Sequence, residues 1–335
     1  MDKKLIFAVA GSGKTTYIVD SLSEDKRSLI VTYTTSNYEN LERKIAEKFG
    51  GNWPENVTLM TYFQFLYRFC YKPFLSDRIG ARGILYEQNP NQFARQTERK
   101  YYLSPGGYFY SNRLAFFINR HIVGDIKERI EKYFDEFIID EVQDIAGRDF
   151  DFLESLMETN VNMLFVGDFY QHTFDTSRDG NVNQSLFDDR AAYEKRFTCK
   201  GFIPDSTSLV NSWRCGKRIC EFVSTNLEIS ISSNRSEKDD ADIVLISNPA
   251  EIAMIVSDPS VVKLHYQKSN KYGPGHRNWG DTKGEDKYQD VCVMLNKNTA
   301  KLHKQRKLNE LAPATRNKLY VAITRAHGNV YLVYE

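Results

Sequence analysis

Short apolar runs alternate along the chain with longer segments whose apolar positions recur every three or four residues, a pattern that predicts β-strands separated by amphipathic helices. The runs LIFAVA, SLIVTY, VTLMT, EFIID and NMLFVGD, followed by DIVLIS, VVKLHY, DVCVML and NVYLVYE, predict nine strands. Most are continuously apolar, as strands covered on both faces of a parallel sheet must be. Strand and helix in alternation give an α/β fold, and nine strands suit two parallel sheets better than one. Between 61 and 135 the alternation breaks into aromatic and basic helical stretches with Pro73, Pro90 and SPGG at 104–107, which predicts a short helical insertion over about 66–133. The stretch CKGFIPDSTS at 199–208 reads as a linker, dividing the chain into domains 1–203 and 204–335. The polar run SISSNRSEKDDAD at 230–242 reads as a mobile surface loop.

The 335 residues exceed the roughly 250–300 at which single cores stop growing, in keeping with two domains. With 45 Lys and Arg against 44 Asp and Glu, the chain is not one held to nucleic acid by bulk charge, so any such contact is local. Local basic candidates lie at 113–132 and in KLHKQRKLN at 301–309. Cys70, Cys199, Cys215, Cys220 and Cys292 form no C-x-x-C pair, which fits neither a zinc site nor a disulfide framework and points to a reducing compartment. No segment approaches about 18 uninterrupted apolar residues, and MDKKLIFAVAG runs into a glycine loop instead of a cleavage site. A soluble, untargeted cytoplasmic protein with no membrane partner is expected.

The chemistry begins in that glycine loop. In G-x-x-x-x-G-K-[ST], glycine amides close around phosphate, the lysine reaches the terminal phosphates and the hydroxyl binds magnesium. Here Ala8 takes the first glycine position, and Ala10, Gly11, Ser12, Gly13, Lys14, Thr15 and Thr16 are the candidate nucleotide-binding residues between a strand and a helix. The second motif is FIIDEVQD at 137–144, where an apolar strand delivers adjacent carboxylates at its C-terminal end. Asp140, with Thr15, would hold Mg²⁺, and Glu141 would orient or deprotonate the attacking water. VGDFYQHTF at 166–174 places Gln171 where an amide could sense a terminal phosphate, and Arg214 and Arg325 would supply cations for charge developing on the transferred phosphoryl group.

In order, AVAGSGKTT, VTYTTSN, LMTYFQF, IIDEVQD, VGDFYQHTF, NSWRCGKRI, DTKGEDKYQDV and LYVAITRA resemble the motifs of UvrD/Rep/PcrA-type superfamily 1 DNA helicases. The resemblance extends across nearly the whole chain. It implies two RecA-like motor domains with ATP and Mg²⁺ at their interface and single-stranded DNA crossing both. It also implies ATPase roles for Lys14, Thr15, Asp140, Glu141, Gln171, Arg214 and Arg325, an adenine-stacking aromatic at Trp213, and a nucleotide-associated acid at Asp286 or its neighbour Glu285. For DNA it implies base stacking by Tyr33 and Phe174, with Thr34, Thr61, Phe63 and Lys283 in strand-facing motifs. Stacking of this kind is worth about 1–3 kcal/mol per base and tolerates any sequence.

Several features depart from that family. MDKKLIF contains no glutamine to read adenine, Thr16 stands where an arginine is common, DTSRDG replaces a basic-aromatic continuation, and KGEDKYQDV is one residue longer than the common pattern. The roughly sixty residues between Ile219 and Asn278 leave no room for the large accessory domain usual in the second motor domain. The expected activity is an ATP-dependent single-stranded DNA translocase or weak helicase, a P-loop NTP hydrolase. The alternative is a helicase-like NTPase that senses DNA and regulates a partner nuclease, similar to the subunits of Gabija-type antiviral defence complexes.

Overall fold

The structure, a computed structural model, describes residues 1–87, 89–91, 93–173, 182–236 and 241–335. The fold is α/β, with two RecA-like units that each carry a parallel sheet. The first comprises Met1–Ile6, Thr15–Gly167 and Asp175–Asp205; the second comprises Phe7–Lys14, Asp168–Phe174 and Ser206–Glu335.

The strands of the first unit are β1 (Lys3–Phe7), β2 (Ser28–Thr32), β3 (Val57–Thr61), β4 (Gly83–Leu85), β5 (Tyr108–Tyr110), β6 (Glu136–Asp140), β7 (Asn162–Gly167) and β8 (Ile203–Asp205). Six of them form one sheet in the order β3-β2-β6-β7-β1-β8, with every pairing parallel. All five residues of β2 are buried, which explains its unbroken apolar run. Parallel pairing carries the C-terminal ends of β1, β2, β3, β6 and β7 to one edge of the sheet, where ligands gather in open α/β folds. Tyr33, Phe63 and Glu141 follow those ends of β2, β3 and β6.

The insertion is mainly helical, as its sequence predicts. A π-helix, Phe65–Tyr71, runs into the helix Lys72–Ile79, which Gly80 ends in the left-handed region at φ 65°. The short helix Arg99–Tyr102 and the long helix Ser111–Tyr133 complete it, with β4 and β5 paired in parallel beside them. The long helix kinks at Ile122, whose φ and ψ of −144° and 16° leave the helical region.

The second unit adds β9 (Asn211–Ser212), β10 (Ser232–Ser233), β11 (Ile243–Leu245), β12 (Val262–His265), β13 (His276–Asn278), β14 (Val291–Leu295) and β15 (Val330–Tyr334). Its main sheet is parallel throughout, in the order β11-β15-β14-β12-β13. Trp279 and Tyr320 are fully buried in its core; the indole N–H is satisfied by the Leu264 carbonyl at 3.0 Å.

All nine predicted strands are present, and two of the loop readings need correction. The stretch at 199–208 contains β8, which pairs with β1 from Lys4↔Ile203 to Ile6↔Asp205. Its proline removes an amide donor, which an edge strand tolerates. Within 230–242, Ser232–Ser233 pairs with Asn211–Ser212, while 237–240 lie outside the described residues. Among the described residues, no helix is long and apolar enough to cross a membrane.

Candidate functional site

In the second unit, the glycine loop is shaped by backbone conformations that side chains oppose. Gly11 and Gly13 have φ of 68° and 89°. At Gly11 a β-carbon would also lie 2.6 Å from Arg214 Cβ and 2.9 Å from Ser212 Oγ. At Gly13 it would meet only Trp213 Cδ1, at 3.9 Å. The Gly11 carbonyl accepts from the Trp213 amide at 2.9 Å, so the exposed Trp213 indole stands beside the loop with its ring free to stack. Ser12 Oγ is buried with no hydrogen-bond partner, a polar orphan that a phosphate oxygen would satisfy.

A hydrogen-bonded series leads out of this loop. The Ala10 amide donates to Tyr320 Oη (2.9 Å), which donates to Asp168 Oδ2 (2.9 Å). The same carboxylate oxygen accepts from Gln171 Nε2 (2.8 Å), and Gln171 Oε1 accepts from Arg325 Nη2 (3.3 Å). Tyr320, Asp168, Gln171 and Arg325 are all buried. Orienting the Gln171 amide toward Asp168 fixes its oxygen on the guanidinium, because a carboxylate accepts only from the NH₂ end. Asp168 and Tyr320 lie inside motifs legible in the sequence, but their importance rests on contacts across 152 residues that no local pattern displays.

Arg325 is held by its surroundings from several sides. Its Nε donates to the Val321 carbonyl, and its Nη1 donates to the carbonyls of Thr282 and Glu285. Burial, and then the nearby Arg214, push its guanidinium down to about 10, so it keeps its charge at neutral pH. Arg214 donates from Nε to Asp286 Oδ1 at 2.6 Å and from Nη1 to the Thr324 carbonyl at 3.1 Å. Asp286 also contacts His327 Nε2 at 2.8 Å. Burial works to raise the Asp286 carboxyl, but Arg214 and His327 outweigh it and hold the group below the usual carboxylate range. Glu285 turns instead to Arg277, at 3.1 Å, and to Tyr288. Asp286 therefore orients Arg214, and Glu285 takes up neighbours of its own. Lys283 is half-buried in the same segment.

In the first unit, Asp140 ends β6 in a buried position and accepts from Thr32 Oγ1 at 3.1 Å. Glu141 follows with φ 57°, a left-handed conformation that is strained for a side chain and that breaks the strand. Its Oε2 accepts from Gln143 Nε2 at 2.5 Å, and Gln143 is fully buried. Thr15 Oγ1 accepts from Asn40 Nδ2 at 3.4 Å, and Thr16 Oγ1 accepts from Lys44 Nζ at 2.8 Å. Among the described residues no three His, Cys, Asp or Glu converge on a point. The Thr15 hydroxyl and the Asp140 carboxylate are oxygen donors of the kind a hard divalent cation takes.

Gly167 closes the turn after β7 against this carboxylate loop. A β-carbon there would lie 2.9 Å from Val142 Cγ1 and 3.2 Å from the Val142 amide, besides striking the Gln143 amide oxygen. Gly167→Ala is expected to lower the unfolding free energy by about 1–3 kcal/mol, read from the midpoint of urea denaturation. An unchanged midpoint would mean that the loop yields freely and that Gln143 does not hold Glu141.

The strand-facing candidates separate by exposure. Tyr33 is half-buried, with ring centroids 6.2 Å from Tyr62 and 5.9 Å from Phe63. Burial, aided by Asp149 and Asp144, pushes its hydroxyl well above the ordinary tyrosine range, so it stays protonated. Phe63 meets the exposed Tyr86 edge-on at 5.0 Å, and Tyr86, from the insertion, is an aromatic that motif reasoning missed. An open groove of about 520 Å³ is lined by Phe63, Tyr86, Thr61, Arg68 and Tyr38. Thr34 caps the helix Thr35–Lys48 by accepting from the Asn37 amide, and Thr61 forms a capping box with Gln64. Capping uses each hydroxyl as an acceptor and leaves its proton to donate to a phosphate oxygen. Phe174 and the DTSRDG segment after it lie outside the described residues.

No protein-family model matches the sequence, and no curated protein matches it. Among solved structures, the chain is similar to an arterivirus nonstructural protein 10, a helicase determined in complex with DNA. The TM-score is 0.52 at 14% identity, over 99% of this chain and 61% of that one. The chain therefore spans about three fifths of the length of the protein it matches, and at this identity the likeness is one of fold.

Proposed function

We propose that this chain is an ATP-dependent single-stranded DNA translocase or weak DNA helicase of the UvrD/Rep/PcrA type, acting with Mg²⁺. The observation that carries the reading is the hydrogen-bonded series from the Ala10 amide through Tyr320, Asp168 and Gln171 to Arg325. It ties the backbone of a glycine loop to an amide and a buried cation, the parts with which an NTPase registers a terminal phosphate. The likeness of fold to a helicase solved with DNA supports the same reading.

In this scheme the amides of the glycine loop and Lys14 bind the phosphates of ATP, and Trp213 stacks on the base. Stacking does not need the missing adenine-reading glutamine, so base selectivity is expected to be low. When bound, Mg²⁺ supplies charge neutralisation at the phosphate oxygens. Thr15 and Asp140 would hold it. Glu141, aimed by Gln143, takes the proton of the attacking water; Gln171 orients that water or reads the terminal phosphate. Arg214, steered by Asp286, and Arg325 stabilise the charge that develops in transfer. Tyr33, Phe63 and Tyr86 offer rings to unstacked bases, with Thr34, Thr61, Phe174 and Lys283 completing the strand contacts.

The test is steady-state ATP hydrolysis without nucleic acid and with single-stranded DNA, duplex DNA or RNA, with Lys14→Ala as the blank. Single strands are expected to stimulate turnover at least tenfold. Hydrolysis indifferent to nucleic acid, or silent until another protein is added, would sink the translocase and favour a regulatory subunit of a nuclease complex.

A further inference from the structure

A cleft lies in the helical insertion, in none of the motifs that carry the proposed ATPase. Its volume is about 800 Å³, within the range of small-molecule sites. Three helices of the insertion wall it: Lys72–Ile79, Arg99–Tyr102 and Ser111–Tyr133. Phe74, Tyr102 and Phe117 supply aromatic surface, and Arg78, Arg99 and Arg120 supply guanidinium groups.

These arginines are not spent on ion pairs. Arg120 donates from Nη1 to the neutral Gln96 Oε1 at 3.0 Å, and Arg99 donates from Nη2 to the Ile79 carbonyl at 3.1 Å. Among the described residues, none of the three is within ion-pairing distance of a carboxylate. The acids of the cleft are Glu98 and Asp125, and Glu98 is engaged with Lys100 at 3.3 Å and the Arg95 amide at 2.7 Å. Three like charges lining one cleft repel one another, a cost that a bound anion relieves.

Two further features lie in the walls of the same cleft. Tyr102 is buried, with its ring edge-on to Phe117 at 4.9 Å, and its hydroxyl has no hydrogen-bond partner. The kink at Ile122 interrupts the long helix where it passes the cleft, beside His121. Burial and Arg120 both push His121 below the ordinary histidine range, so at neutral pH it offers a neutral ring.

We propose that this cleft binds a small organic anion with a flat aromatic body, the arginines clamping the anionic group and Phe74, Tyr102 and Phe117 covering the ring. Guanidinium forks match carboxylate, sulfonate and phosphate oxygens alike. The inference is independent of the activity assigned to the glycine loop.

The probe is 8-anilinonaphthalene-1-sulfonate, titrated by fluorescence into the full chain and into Lys14→Ala, in which the glycine loop is disabled. Both are expected to bind one equivalent saturably. Arg78→Gln combined with Arg120→Gln is expected to weaken binding at least tenfold at an unchanged thermal midpoint, since both side chains are exposed. Arg99→Gln alone is expected to weaken it severalfold. Equal affinity in the wild type and the doubly substituted chain would overturn the proposal. Displacement of the probe by oligothymidylate at the oligonucleotide's own binding midpoint would also overturn it, by making the cleft part of a nucleic-acid track.

Discussion

Replacing Glu141 by glutamine is expected to leave ATP binding intact and to lower the rate of hydrolysis by a factor of about 10²–10⁴, the usual worth of a general base. The side chains are nearly isosteric, so the left-handed turn at φ 57° and the packing against Gln143 should survive. What disappears is the ability to accept a proton from water. The carboxylate now accepts from Gln143 Nε2, and an amide at 141 can keep that bond through its own oxygen. A large drop in kcat with an unchanged Kd for a fluorescent ATP analogue would establish the role. Preserved turnover would remove Glu141 from the mechanism and leave its strained backbone to be explained by folding alone.

Arg325→Lys is expected to be nearly as severe, lowering kcat by about 10³, the lower end of what a transition-state arginine supplies. The guanidinium donates to Gln171 Oε1 and to the carbonyls of Val321, Thr282 and Glu285 from a fully buried position. An ammonium keeps the charge but cannot span those acceptors in one plane. Each buried acceptor left unmade costs about 1–3 kcal/mol, so the thermal midpoint should fall as well. Stability loss alone would lower the amount of active protein and leave kcat per folded molecule unchanged. Normalising turnover to nucleotide-binding sites separates the two effects, and an unchanged normalised kcat would reduce Arg325 to a structural role.

Both positions lie in motifs that the sequence displays, and so does the two-sheet frame. Continuous apolar runs such as SLIVT are legible because burial on both faces of a parallel sheet leaves no polar alternation to obscure them. The short strands were not legible. β8 reads as a linker because Ile203 is exposed and Pro204 removes an amide, and only its pairing with β1 makes it a strand. β9 and β10, two residues each, exist only through each other. At the site, patterns indicated residue types but not their partners. Asp286 as the orienter of Arg214, Gln143 as the orienter of Glu141, and the buried Tyr320–Asp168 bond are facts of packing between distant segments. The Thr34 and Thr61 hydroxyls, expected to face the nucleic acid, also cap helices, and any contact with nucleic acid must share that work.

The second unit is stitched from three separated stretches, and the Ala10 amide finds its hydrogen-bond partner 310 residues later. During synthesis the glycine loop leaves the ribosome long before Tyr320 exists, at ordinary elongation rates of roughly 5–20 residues per second. The first sheet can gather its strands meanwhile, but the loop must wait, unsatisfied, for the last helix among the described residues. On the proposed reading, nucleotide-binding competence is among the final properties acquired, and a polypeptide stalled before Pro313–Ile323 would carry the loop's sequence without its hydrogen-bonded anchor.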